Sequence, residues 1–214
     1  MSDTVIQGPG SDEGRTRRDF IFLAAATTGA VATAGALWAL VDSMEPSDDV
    51  IAAGAPMDID ISKMKPGQQI VVLWRAHPVY VANRTPDAVD RLQHMDTSRL
   101  SDPESNVMQQ PDYAKNWHRS IKPENLVVVG ICTHLGCLPR FEPDAGGAIG
   151  SDWPGGYFCP CHGSRYDLAA RVFKGVPAPY NLPVPPHRYV DDKTLRIGEN
   201  PPNTQFDFDD IVQM

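Results

Sequence analysis

All four cysteines and two of the six histidines of this chain fall into two short runs, Cys132-Thr133-His134-Leu135-Gly136-Cys137 and Cys159-Pro160-Cys161-His162-Gly163-Ser164. Each run pairs Cys with His at metal-ligand spacing, so the fold has to bring two distant loops together. Two thiolates and two imidazoles would satisfy one tetrahedral zinc, but six donors exceed what a zinc needs, and a spare pair must be accounted for. A zinc knuckle leaves two cysteines idle and does not explain Gly163-Ser164 behind the last histidine. Two plain disulfides make both histidines incidental. A thiol-redox site is not indicated, because neither run contains Cys-x-x-Cys. The other histidines, His77, His94, His118 and His187, stand among polar residues and prolines and read as ordinary surface or loop residues.

The chain has 214 residues, 42% of them hydrophobic, and 20 prolines, which suits one modest globular domain with an appendage. The appendage is the uncharged stretch Phe20 to Val41. As a helix it reaches roughly 33 Å, about the thickness of a bilayer core. Ala32-Thr33-Ala34 resembles a signal-peptidase site, but the apolar run continues through Trp38 and Val41, so a retained anchor is expected over a cleaved signal. Arg17 and Arg18 directly precede the stretch and look like a twin-arginine export signal, a route that carries proteins already folded. Asp42, Glu45, Asp48 and Asp49 follow it, with no Lys or Arg before Lys63. This asymmetry predicts a cytoplasmic N-terminus (1–19), a membrane span (20–41) and a main domain in a periplasm-like space, where a disulfide persists. Beyond residue 41 the formal charge is −7, from 16 Lys and Arg against 23 Asp and Glu. That balance argues against nucleic acid and suits a basic partner.

Residues 42–56, rich in small and acidic residues, read as a flexible tether, with a short helix over Asp49 to Ala53 conceivable only when packed. The domain proper is expected over 57–214. Gln69 to Arg75 and Pro78 to Asn83 predict two strands across Ala76-His77. Residues 84–124 predict a surface insertion with one helix begun by Thr85 as N-cap and Pro86 at the first helical position. Leu126 to Ile131 predicts a buried strand that delivers the first run onto a loop, and Tyr157-Phe158 does the same for the second. Arg188 to Val190 and Leu195 to Ile197 predict a closing hairpin. The expected class is mainly β, with small antiparallel sheets, a lobe over about 126–185 carrying the two loops, and one N-terminal transmembrane helix.

Position by position the two runs match C-x-H-x-x-C and C-x-C-H-G-S, and in this the chain resembles the Rieske iron-sulfur proteins. The resemblance implies a [2Fe-2S] cluster, one per subunit, with Cys132 and Cys159 on one iron and His134 and His162 on the other. It also implies a disulfide between Cys137 and Cys161, which would account for the spare pair. Ser164 and Tyr166 match the residues that in high-potential members donate hydrogen bonds to a cluster sulfur and a ligand sulfur. Lys174 to Leu182 resembles the proline loop that covers the cluster in cytochrome bc Rieske subunits, with Gly175, Pro177 and Pro179 as the lid. Two departures stand out: Val176 interposes between Gly and Pro, and Ala170 replaces a frequent Gly before Arg171.

Together these features are similar to the iron-sulfur subunit of a bacterial ubiquinol-cytochrome c reductase. The resemblance implies a single-pass protein of the bacterial inner membrane with its Rieske domain in the periplasm, working beside cytochrome b and a c-type cytochrome in a dimeric complex. Its expected work is to take one electron from ubiquinol, with His162 accepting the proton, His134 as the second exposed ligand and Leu135 in an apolar docking rim. The domain would then swing to its c-type partner. An arsenite oxidase small subunit and a non-redox zinc-binding domain are the alternatives.

Overall fold

The computed structural model describes residues 16–48 and 54–213. The segment suggested as a short helix, Asp49 to Ala53, lies outside the described residues. By its contacts the chain divides into two compact units at Ser47 and Asp48.

The first unit is one helix, α1 (Arg17–Asp42), with no buried residue. It begins with a reciprocal cap. Asp19 N–H donates to Thr16 Oγ1 (3.3 Å) and Thr16 N–H donates to Asp19 Oδ2 (3.0 Å), satisfying two otherwise free amides. Inside the apolar run the hydroxyls of Thr27, Thr28 and Thr33 donate back to the carbonyls of Leu23, Ala24 and Gly29 at 2.8–2.9 Å. No hydroxyl of these three therefore needs water, the condition that a lipid interior imposes. Among the described residues α1 is the one helix long and apolar enough to cross a membrane.

The second unit is built from three antiparallel three-stranded sheets. The first pairs β1 (Met57–Asp60), β9 (Thr194–Ile197) and β8 (His187–Tyr189) in that order. The second is β2 (Gln69–Trp74), β3 (His77–Asn83) and β4 (Asn125–Val129). The third is β5 (Arg140–Glu142), β6 (Gly156–Phe158) and β7 (Arg165–Tyr166). The middle sheet is the divider. Alternation along β3 and β4 sends Val79, Val81, Val127 and Val129 into one core, shared with Leu195, Ile197, Trp74 and Phe208. Tyr80, Ala82, Leu126 and Val128 go into the other, shared with Cys132, Tyr157, Cys159 and Tyr166. A strand buried on both faces reads as an unbroken apolar run, which is how β4 reads in the sequence.

The β2–β3 hairpin turns at Arg75 and Ala76, one residue earlier than expected, and both residues have positive φ (50° and 61°). Two left-handed residues match the twist of the strands, although neither is glycine. Arg75 offsets part of that strain by pairing with Asp209 at 3.0 Å and lying over the Trp74 ring.

Residues 84–124 are not a surface insertion. They hold α2 (Pro86–His94), capped as expected by Thr85, but also the fully buried Gln109, Arg119 and Ser120. Arg84 donates to the carbonyls of His118 and Leu168 (3.0 and 3.1 Å) and to Ser120 Oγ. Arg119 donates to the carbonyls of Ala169, Ala170 and Leu182 and to Gln110 Oε1, all within 3.2 Å. Burial pushes Arg84 down to about 10 and Arg119 to about 9, so both stay cationic at neutral pH. A cation out of water is tolerable only when oxygens surround it. These two serve as internal rivets between this segment and the loop-bearing lobe.

His187 also departs from the surface reading, being 1% exposed on β8. Its Nδ1 lies 2.8 Å from Pro185 O and its backbone N–H donates to Tyr113 Oη at 2.9 Å. Burial pushes its imidazole down to about 4 from an ordinary 6.5, so it sits neutral in the folded domain. The unfolded chain therefore takes up a proton first as pH falls. This contribution to stability is complete above about pH 6.5 and is lost between 6.5 and 4, amounting to about 3 kcal/mol. Chemical unfolding of the domain across that window should show the loss, and His187→Leu should flatten that part of the slope.

Candidate metal centre

The two runs fold into the same closed turn. In the first, Cys132 N–H donates to Cys137 O (2.7 Å) and Gly136 N–H to Cys132 O (3.0 Å). In the second, Cys159 N–H donates to Ser164 O (2.8 Å) and Gly163 N–H to Cys159 O (3.0 Å). Gly136 and Gly163 occupy equivalent places at φ +80° and +77°, a conformation that closes the turn and that a Cβ would strain. The first turn leaves β4 through Gly130, where a Cβ would run into the Tyr80 ring. The second connects β6 to β7, so both sit on sheet ends that packing already fixes.

Cys137 and Cys161 form a disulfide that joins the two turns, with their Cα atoms 6.6 Å apart. Cys132 and Cys159 remain free thiols, each 1% exposed. His134 is half-buried and His162 exposed, with ring centroids 4.7 Å apart and planes at 89°. The sulfurs of Cys137, Cys159 and Cys161 also lie within 4.8 Å of one another, but two of these are tied up in the disulfide and offer no thiolate. The donors that could hold a metal are thus two sheltered thiols and two outward imidazoles. Burial pushes the Cys159 thiol up, and the Cys132 thiol beside it acts in the same direction. Such a pair is held as thiolate by a neighbouring positive charge of the kind that a metal supplies. Two sulfur and two nitrogen donors, separated as inner and outer pairs, fit a [2Fe-2S] cluster with mixed ligation.

The surrounding hydroxyls are buried. Tyr166 Oη lies 3.2 Å from Cys132 Sγ and accepts the Thr133 N–H at 3.2 Å. Thr133 donates its own hydroxyl proton to Tyr180 O (2.8 Å), so Tyr166 is the donor toward its two neighbouring acceptors, Cys132 Sγ and Thr133 Oγ1 (3.3 Å). Burial, the larger cause, and the adjacent Cys132 push the Tyr166 phenol up, so it keeps its proton. Ser164 Oγ accepts the Ala178 N–H at 3.1 Å and retains a proton to donate elsewhere.

The proline segment alternates. Gly175, Pro177 and Pro179 face solvent while Ala178 packs into the lobe core. Val176 fills the space between that core and the Leu100, Trp153 and Phe173 cluster, which gives the extra residue a packing role. Ala170 has φ +59°, which explains why glycine suits that position; Asp167 and Arg171, a buried pair at 2.7 Å, clamp the turn around it. Several contributors escape a reading of the sequence. Leu138, next to Cys137, is 56% exposed, as Leu135 is at 70%. Thr133 and Arg119 act through hydrogen bonds that only the fold brings about. Arg17 and Arg18 stand in the first turn of α1, in the other unit.

The family model "Rieske [2Fe-2S] domain" matches residues 55–186, and "Ubiquitinol-cytochrome C reductase Fe-S subunit TAT signal" matches residues 9–47. The chain is 54% identical over 187 residues to the ubiquinol-cytochrome c reductase iron-sulfur subunit of Allochromatium vinosum, covering 87% of this chain and 90% of that one. It is 46% identical over 186 residues to the protein of the same name from Blastochloris viridis, covering 86% and 93%. Among solved structures, a chain of "Hyperthermophilic respiratory Complex III" aligns with a TM-score of 0.44 at 29% identity, covering 82% of this chain and 98% of that one.

Ala170→Gly relieves a left-handed strain at the cost of a more flexible unfolded chain, and should stabilise the domain by about 1 kcal/mol. A shift of the denaturation midpoint to higher denaturant, with an unchanged slope, is the expected readout.

Proposed function

Because the chain belongs to the Rieske [2Fe-2S] family, we propose that it is the electron-transferring iron-sulfur subunit of a ubiquinol-cytochrome c reductase. In this reading Cys132 and Cys159 hold one iron, and His134 and His162 hold the other. The observation that carries it is the sorting of donors on two facing turns: free thiols inside, imidazoles outside, and the remaining two cysteines consumed by the Cys137–Cys161 bond. Bound there, a [2Fe-2S] cluster accepts and releases one electron, and imidazoles in place of two thiolates raise its potential.

The residues around it have separate tasks. His162, the more exposed imidazole, uses the ring nitrogen left free of iron to accept a hydrogen bond from a quinol hydroxyl and then its proton. His134 lies beside it with its ring turned at right angles. Leu135 and Leu138 supply an apolar rim that seats against cytochrome b and keeps water from the transferred proton. Tyr166, 3.2 Å from Cys132 Sγ, donates a hydrogen bond toward sulfur, and Ser164, whose Oγ accepts the Ala178 N–H, has its proton left to do the same; such donors favour the more negative, reduced state. Gly175, Pro177 and Pro179 form the outer face of the lid.

The electron passes on to a c-type cytochrome in a dimeric complex, and residues 42–56 tether the domain that carries it. Arg17 and Arg18 serve export of the folded domain to the periplasmic side, and α1 remains in the inner membrane as the anchor with its N-terminus in the cytoplasm.

Proton uptake at a ligand imidazole ties its proton affinity to the charge of the site, since an added electron makes the ring more basic. The midpoint potential of the purified protein, measured by voltammetry, should be level at acidic pH and fall once the oxidised form loses an imidazole proton. A potential independent of pH across the neutral to alkaline range contradicts the coupled transfer.

A further inference from the structure

Thr133 stands between Cys132 and His134, and each of its polar groups is engaged by a different part of the domain. Its N–H donates to Tyr166 Oη (3.2 Å), and its hydroxyl donates to Tyr180 O (2.8 Å). Its carbonyl accepts the side-chain N–H of Gln213 at 2.8 Å, from 80 positions further along the chain. The first two partners belong to β7 and the proline segment. The third belongs to the segment Ile211–Gln213.

Gln213 is itself clamped. Its backbone N–H donates to Gln109 Oε1 (3.1 Å), and its carbonyl accepts Gln109 Nε2 (2.7 Å). The same Gln109 Nε2 also donates to Asn181 O in the proline segment at 2.9 Å, and Val212 N–H donates to Met108 O at 3.0 Å. Gln109 has no solvent exposure, so water does not replace these bonds. Val212 is 53% exposed, so apolar burial at that residue does not hold its neighbour in place. One buried amide thus fixes the backbone of Gln213, and the side chain of Gln213 is left to reach the first loop.

We propose that Gln213 is a positioning residue for the iron-binding loop. By donating to the Thr133 carbonyl it fixes the peptide unit that joins Thr133 to His134, and with it the placement of the His134 ring. The donor also brings a partial positive charge to the loop, which favours the reduced, more negative site. The proposal rests on the functional reading above, in which Cys132 and His134 are ligands. Partners that orient metal ligands typically change affinity by about 10–100-fold when lost.

The test uses the full chain with its cluster and the substitution Gln213→Met, which is neutral, similar in length and unable to donate. Midpoint potential and the rate of cluster loss to a chelator are measured, with melting temperature and the Cys137–Cys161 bond as controls. The expected result is a potential shifted downward and cluster loss about tenfold faster, with both controls unchanged. Gln213→Ala should shift both readouts in the same direction. A Met variant with the potential and loss rate of the unsubstituted chain overturns the proposal, including the case in which only the Ala variant changes, since the residue would then act by packing alone. A colourless unsubstituted chain overturns instead the functional reading on which it rests.

Discussion

The covalent bond between Cys137 and Cys161 sets the distance between two turns that lie 24 residues apart in sequence, and the proposed chemistry of the domain depends on that distance. Each turn alone presents one buried thiol and one imidazole, which is half of a ligand set. Joined, they present two thiols facing inward and two rings facing out. The bond takes up two of the six candidate donors and leaves Cys132 and Cys159 as free thiols beside the two histidines. The two matching glycines at φ near +80° let each turn close on itself.

What the disulfide does between the two turns, buried charge and amide groups do in the lobe around them. Arg119 gathers three carbonyls from the chain that follows the second turn, and Arg84 links Leu168 to the segment around His118. Each arginine gives up hydration and recovers it only if all its oxygens are in place, so these contacts favour one arrangement of the lobe over many. Asp167 and Arg171 act likewise within a single turn. The middle sheet connects this rigid lobe to the base, because alternate residues of β3 and β4 belong to the two cores.

The parts of this design that the sequence reveals are those whose chemistry forces residue type and spacing. Metal donors have few substitutes, so both turns could be located, and the structure places all four candidate donors and both bonded cysteines together. Helix α2 was legible because Thr85 and Pro86 mark its start, and β4 because it is apolar from Leu126 to Val129. Residues 84–124 were misread since a polar side chain buried against carbonyls looks, in sequence, the same as one facing water. The hairpin turn was shifted because Arg75 and Ala76 are left-handed without being glycine or asparagine. His187, after two prolines, looked like a loop residue, and only its place in β8 against the Tyr113 ring shows otherwise. Gln213 carries no local signal, since its role depends on a partner more than a hundred residues away.

The central claim is mixed ligation: two cysteines and two histidines, drawn equally from two turns, hold one [2Fe-2S] cluster. Electron paramagnetic resonance of the reduced protein tests it most directly, because replacing two thiolates by imidazoles lowers the average g value. Mixed ligation predicts a [2Fe-2S] signal with an average g below that of all-cysteine clusters. A colourless protein without a signal, or a signal with the average g of all-cysteine ligation, would contradict it.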